Sequence, residues 1–387
     1  MRKSALFVIG FLLLSCSNFE DEPTSEIETE TNDALSGGDL VVDIFPDTID
    51  QDTQDQETDA NSHINPDMEP AGDYSEPGSW TAGQLWSDTL GSSGNILYIS
   101  TWFPSSDTGA EETWYGGDDW WNQGESYTDV TPACDEPRPV IVHSHGDSSL
   151  SWEMYYLAEF LATHGWITVA PDHTGNTAYD NTEPFETLLV RRPLDIQSTY
   201  DWLLDQNADP ESALYGCVDP DAGYVTTGFS FGGYTAYANG GAALNDEMGQ
   251  PTVDYSDPRV RAIITYAPWD GFYAITSGTS QITVPVMTIG GQMDETLGTQ
   301  YILLFAPIES TPRLLGDIDR GGHLSFTPIY CQFVTTDGCG IDFIALDTFT
   351  DALKTAVISW LEYLNGRPGA IDQIQDYPGE LTWTLTE

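Results

Sequence analysis

Positive charge is what this sequence has least of: 11 Lys and Arg stand against 62 Asp and Glu, a formal net charge of −51. A surface of that sign repels nucleic-acid backbones and anionic membranes, which excludes binding driven by phosphate contacts. Salt screening weakens its self-repulsion, so such a chain suits a salty exterior. Cysteine is scarce as well, with 5 in 387 residues. Long apolar runs are missing too: Ala5 to Leu14 falls well short of the ~20 residues of a transmembrane helix. That run follows Arg2 and Lys3 and ends in small Ser15 before Cys16. The arrangement reads as an export signal over residues 1–15.

Leu13-Leu14-Ser15-Cys16 resembles the lipobox of bacterial lipoproteins, which implies cleavage before Cys16 and lipid on that cysteine. The alternative is an ordinary secretory signal with an incidental cysteine. Ser17, where an aspartate would retain the protein at the inner membrane, resembles the outer-membrane sorting pattern. The expected location is therefore the outer membrane or cell surface, with membrane contact through the lipid anchor only. From Ser17 to Gly78 there is no Lys or Arg and there are 19 Asp or Glu, so residues 16–78 are expected to be a disordered acidic tether. "DLVVDIF", Asp39 to Phe45, is its one patch with apolar surface to dock. A tail that binds calcium or a basic partner is the competing use, but the spacing does not match a calcium loop.

With Cys16 assigned to lipid, Cys134, Cys217, Cys331 and Cys339 remain. An even number in an exported chain favours two disulfides. Cys331 with Cys339 closes a short loop and Cys134 with Cys217 is the complementary bond, although spacing alone does not prove the pairing. A zinc site made of the four lacks paired close spacings.

Residues 79–387 show no repeat or long linker and are expected to form one monomeric domain. Asn95 to Ser106 reads as a strand near the domain edge. Gly109 to Pro137, rich in Gly, Asp and Trp, lacks periodicity and reads as an insertion that either overlies a cleft or is pinned by its own aromatics. An alternation follows: strands at Pro139–Gly146 and Trp166–Asp172 flank a helix over Trp152–His164. An amphipathic helix spans Pro193–Ala208 with its proline near the first turn. Buried strands follow from Ala222, Val260 and Val284, then a last one from Pro312 and a closing helix over Ala352–Gly366. Buried strands alternating with helices predict a three-layer α/β sandwich around a mostly parallel sheet.

Within "GFSFGGYTAY", Gly228 to Tyr237, Ser230 sits in a Gly-x-Ser-x-Gly pattern between a strand and a helix. A tight turn there strains the serine, exposes its hydroxyl at the sheet edge and aims the free N–H groups of the next helix at developing negative charge. The alternative is a small-residue turn without chemistry. A serine needs a base, and His323, in the glycine-flanked loop "RGGHLSF", is placed to return over the sheet. Of the other histidines, His63 lies in the tether, His164 late on a helix and His173 after a strand. The acid that orients the base is expected between serine and histidine in chain order. Asp294, directly after "VPVMTIGGQM", fits; Glu295, Asp270, Asp317 and Asp319 are the alternatives. Two backbone donors are expected for an oxyanion, the N–H of Phe231 and that of Asp147, whose side chain would point outward.

Several stretches carry a resemblance: "SHGD" at 144–147, "YYLAEFLATHGWITVAPDHTGNT" at 155–177, "RRPLDIQ" at 191–197, "GFSFGG", "DPRVRAIITYAPW" at 257–269 and "GGHLSF". Together they resemble the α/β-hydrolase branch of platelet-activating factor acetylhydrolases and predicted dienelactone hydrolases, over roughly Pro139 to Phe326. The resemblance implies the α/β-hydrolase fold, a triad of Ser230, Asp294 and His323, and an oxyanion pocket at Asp147 and Phe231. Dienelactone hydrolases have a cysteine where Ser230 stands. Secreted cutinases share parts of the pattern, and their disulfide near the histidine loop is loosely similar to Cys331 with Cys339. The expected activity is hydrolysis of small or lipid-like esters without a cofactor. Alternatives are thioesterase, peptidase or polyester hydrolysis, or a tethered binding protein on the same scaffold. Trp120, Trp121, Trp152 and Trp269 either line an apolar pocket or pack the core.

Overall fold

The structure, a computed structural model, describes residues 65, 68–117, 120–245, 251–272, 274–375 and 381–387. The expected signal, Cys16 and the expected tether up to residue 64 lie outside the described residues. The described strands, in chain order, are β1 (Thr81–Leu90), β2 (Ile96–Ser105), β3 (Glu112–Gly117), β4 (Trp120–Tyr127), β5 (Val140–Ser144), β6 (Ile167–Pro171), β7 (Tyr224–Phe229), β8 (Leu244–Asn245), β9 (Pro251–Val253), β10 (Val260–Tyr266), β11 (Val286–Gly291), β12 (Arg313–Ile318) and β13 (Leu381–Thr386). The helices are α1 (Tyr155–Thr163), α2 (Phe185–Ala208), α3 (Phe231–Asn239), α4 (Gln300–Phe305) and α5 (Leu346–Leu364). No described helix is long and apolar enough to cross a membrane.

Eleven of these strands form one sheet in the order β13-β12-β11-β10-β7-β5-β6-β2-β1-β4-β3. The six from β12 to β6 run parallel. Every position of β5, β6, β7 and β11 is buried, the mark of strands covered on both faces. Alternate side chains serve opposite layers. Ile141, Ile264 and Met287 join Leu157 and Phe160 of α1 and Val357 and Trp360 of α5, while Val142, Ile263 and Val286 join Ile196 and Tyr200 of α2 and Tyr234 and Tyr237 of α3. A mixed α/β fold around a mostly parallel sheet is thus present as expected.

Four strands of this sheet have no counterpart in the sequence reading. β1 pairs antiparallel with β2 along its whole length, β13 adds antiparallel to β12, and the Gly109–Pro137 insertion folds into the β3–β4 hairpin at the sheet edge. The hairpin is tied to α1 by buried Glu159. Its Oε1 accepts from Tyr115 Oη at 2.9 Å and Ser126 Oγ at 2.6 Å, and its Oε2 from Glu125 N at 2.9 Å. Burial pushes the Glu159 carboxyl up, against these hydrogen bonds.

Two expected boundaries shift. Residues 68–78, assigned above to the tether, pack on the domain: Tyr74 is buried in the core, Ala71 N donates to Pro368 O at 2.9 Å, and Tyr74 N donates to Gln373 Oε1 at 2.8 Å. One aromatic ring among the carboxylates anchors this otherwise mostly exposed stretch, and net charge over the window conceals it. Pro193 lies inside α2, which begins a full two turns earlier than expected. Proline leaves the carbonyl of residue i−4 without its helical donor, here Leu189 O, and Tyr234 Oη from α3 donates to it at 2.9 Å. The four cysteines form the disulfides Cys134–Cys217 and Cys331–Cys339.

Candidate active site

The loops after β5, β7, β10, β11 and β12 all open at the carboxyl edge of the parallel strands, where open α/β sheets hold their sites. Ser230 separates β7 from α3 with φ 55° and ψ −116°. A left-handed backbone at a non-glycine residue costs about 1–3 kcal/mol and persists only where the surroundings enforce it. Here Ser230 N donates to Tyr266 O at 2.9 Å, and Ser230 O accepts from Trp269 N at 3.0 Å and Gly233 N at 2.9 Å. Two glycines make the turn possible: a Cβ on Gly232 would lie 1.8 Å from Ser144 O, and one on Gly228 2.0 Å from Gly232 O.

His323 Nε2 is 2.9 Å from Ser230 Oγ, and its Nδ1 is 2.8 Å from Asp294 Oδ2. A carboxylate can only accept, so Nδ1 carries the proton and Nε2 receives the serine O–H. Asp294 is itself oriented, because its Oδ1 accepts from Thr296 N at 2.9 Å and Leu297 N at 2.6 Å. Burial works against a charged His323, yet the charge and hydrogen bond of Asp294, with Asp337 and Glu153 beyond, raise its basicity above the ordinary histidine value. The ring of Phe229 packs on the imidazole with centroids 4.8 Å apart.

Of the candidate acids, Asp294 is the one whose carboxylate meets the His323 imidazole. Asp317 accepts from Tyr301 Oη at 2.6 Å and Gln292 Nε2 at 3.0 Å, Glu295 and Asp319 are exposed, and Asp270 N donates to Gln300 Oε1 at 3.0 Å on the β10 side. Phe231 is the first residue of α3, next to the serine. Asp147 follows β5, but its carboxylate does not point outward: Asn176 Nδ2 donates to Oδ1 at 2.7 Å and Ser148 Oγ to Oδ2 at 3.1 Å. Neutral donors take up the charge that outward placement was expected to expose to water.

Sequence reasoning missed the layer beneath that loop. Arg192, fully buried on α2, donates to His145 O, Asn176 Oδ1 and Ser144 Oγ, so that it holds both the loop and the amide that holds Asp147. Glu153 Oε1 accepts from Gly146 N at 2.8 Å. Burial lowers the Arg192 guanidinium to about 9, opposed by the charges of Asp147, Glu153 and Asp195. A second Ser-His-Asp series lies here: His173 Nε2 is 2.9 Å from Ser144 Oγ and its Nδ1 is 2.9 Å from Asp195 Oδ2. All three residues are 0% exposed, whereas Ser230 keeps 8% of its surface, so of the two serines only Ser230 reaches the surface. Burial, then Arg192, pushes the His173 imidazole well down, which keeps it a neutral structural link.

Of the tryptophans, Trp152 packs on Tyr115 in the hairpin core. Beside the serine, Trp269 joins Phe185, Phe231 and Phe272, whose ring centroids lie 4.7–5.6 Å from that of Trp269. The side chains of Trp120 and Trp121 lie outside the described part of the structure. No protein-family model matches the chain, and no curated protein matches it.

Proposed function

We propose that this protein is a serine carboxylic-ester hydrolase on an α/β-hydrolase scaffold, acting on small or lipid-like esters. One observation carries the reading: Ser230 at a strained strand-to-helix turn is within hydrogen-bond reach of His323, which is in turn held by Asp294. His323 Nε2 takes the hydroxyl proton as Ser230 Oγ attacks the ester carbonyl. Asp294 keeps the proton on Nδ1 and supports the imidazolium without accepting it. The N–H groups of Phe231 and Asp147 receive the oxyanion, a contribution worth roughly a hundredfold or more in turnover. The imidazolium then protonates the departing alcohol, and water, deprotonated by the same nitrogen, releases the acid and restores Ser230. Phe272, 50% exposed beside Trp269, favours an apolar group on the ester. The lipobox reading adds export and attachment through Cys16.

Ser230→Ala is expected to abolish p-nitrophenol release from p-nitrophenyl acetate and labelling by a fluorophosphonate. Wild-type turnover in that variant would assign the chemistry elsewhere. A wild-type protein inert to both reagents would favour the binding-protein alternative.

A further inference from the structure

Two carboxylates hold His323, and only Asp294 touches its imidazole. The other, Asp337, lies in the loop closed by the Cys331–Cys339 disulfide and is 6% exposed. Its Oδ1 accepts from His323 N at 2.8 Å and from Glu295 N at 2.9 Å, and its Oδ2 from Thr296 Oγ1 at 2.6 Å. Its backbone carbonyl accepts from Leu324 N at 2.7 Å. One side chain therefore spans the loop that carries the acid and the loop that carries the base. Asp337 has φ 49°, a left-handed conformation that aspartate tolerates better than most residues. The fit around it is tight: a Cβ on Gly322 would lie 2.1 Å from Gly338 N, and one on Gly338 2.4 Å from Ser325 N.

We propose that Asp337 is a positioning residue: its carboxylate bridges the two loops so that His323 meets Asp294 and Ser230 together, and the Cys331–Cys339 disulfide holds that carboxylate in place. The proposal rests on the serine-hydrolase reading above. A buried carboxylate with three neutral donors is an expensive way to pack two loops, since apolar contacts would hold them at lower desolvation cost. What it supplies is direction, because each oxygen fixes a particular donor. Its charge also bears on the base. The carboxylates that face the imidazole are Asp294, Asp337 and Glu153, and together they overcome the effect of burial on His323.

The test uses Asp337→Asn and Asp337→Gly in the full chain, since both residues accept a left-handed backbone. Asparagine keeps an acceptor and removes the charge, so the acid limb of the kcat/KM profile on p-nitrophenyl acetate should move down by roughly half a pH unit or more. Glycine removes the bridge, so kcat should fall roughly 10- to 100-fold while KM stays within about twofold. A purely structural role would lower the melting temperature and leave the acid limb in place. A glycine variant with wild-type kcat, or an asparagine variant whose acid limb does not move, overturns the proposal; if the glycine variant fails to fold, the asparagine profile decides alone. Ser230→Ala separates the two levels. If it is inactive while both Asp337 variants behave as wild type, only the positioning role falls; if it is fully active, the hydrolase reading falls and the positioning role with it.

Discussion

A methyl group at Gly232 should force apart the strand and helix that hold the serine. The added Cβ would lie 1.8 Å from Ser144 O, 2.6 Å from Ser144 C and 2.9 Å from His145 O, all backbone atoms that no rotamer change can withdraw. To reach even the tightest contact that real Cβ atoms show, 3.0 Å, α3 and the end of β5 must separate by roughly 1.2 Å. Two effects oppose each other in Gly232→Ala. Alanine in a helix is worth about 0.5–1 kcal/mol over glycine, whereas overpacking of a filled interior costs about 1–3 kcal/mol. With three backbone atoms in conflict the second wins, and a net loss of about 1–2 kcal/mol is expected. Activity should suffer more, because the displacement acts on the turn that sets the 2.9 Å approach of Ser230 to His323, and an error of ~1 Å in a reacting group costs roughly 100-fold. Turnover of p-nitrophenyl acetate, the rate of fluorophosphonate labelling and a thermal melt measure the three quantities. Gly72→Ala, where the added methyl meets nothing within 4 Å, is the control and should stay within about 0.5 kcal/mol of wild type. Wild-type turnover and melting in Gly232→Ala would refute the close-approach argument.

Asp294→Asn should lower kcat by about 10³- to 10⁴-fold through the wrong imidazole tautomer. The residual activity should persist to lower pH, because Asp294 is the main group raising His323. For wild type, activity should rise with pH as His323 loses its proton. Its stability contribution has the opposite sense: with the folded value above the unfolded value of about 6.5, it is fully present below 6.5 and lost as pH rises through the folded value. Urea melts of wild type and His323→Gln across that window check the sign. The disulfides should separate stability from turnover. Loop-closure entropy for sequence separations of 83 and 8 gives about 4.5 and about 2.5 kcal/mol at 25 °C. Serine pairs at Cys134 and Cys217 should therefore depress the melt more, whereas those at Cys331 and Cys339 should depress kcat more; the reverse order would contradict both assignments. Tyr234→Phe should cost about 1–2 kcal/mol by leaving Leu189 O without its donor. That cost should shrink in a Pro193→Ala background, where residue 193 regains an N–H, and a cycle with no coupling would refute the account of how α2 accommodates its proline.

The central strands and the Ser230 turn were legible because their signals are local. Runs such as Val140 to Val142 are apolar at every position, and the turn needs small residues at 228 and 232 whatever surrounds it. β1, β13 and the β3–β4 hairpin were not legible. Their strands are half exposed and carry Gly, Asp, Ser and Thr, so their strand character comes from their partners in the ladder. The same division runs through the candidate site. Chain order and loop position put Ser230, Asp294 and His323 in plausible roles, but their contacts join residues 93 and 29 positions apart. Asp337 carried no motif beyond an Asp-Gly turn between two cysteines, and Arg192 only an arginine on an amphipathic helix. Sequence by itself determined which residues have the chemistry and which strands must be buried, because both follow from side-chain type and short spacing. Tertiary structure decided which of two Ser-His-Asp series keeps its serine at the surface and which carboxylates hold His323, because burial and hydrogen-bond direction exist only once distant loops are packed together.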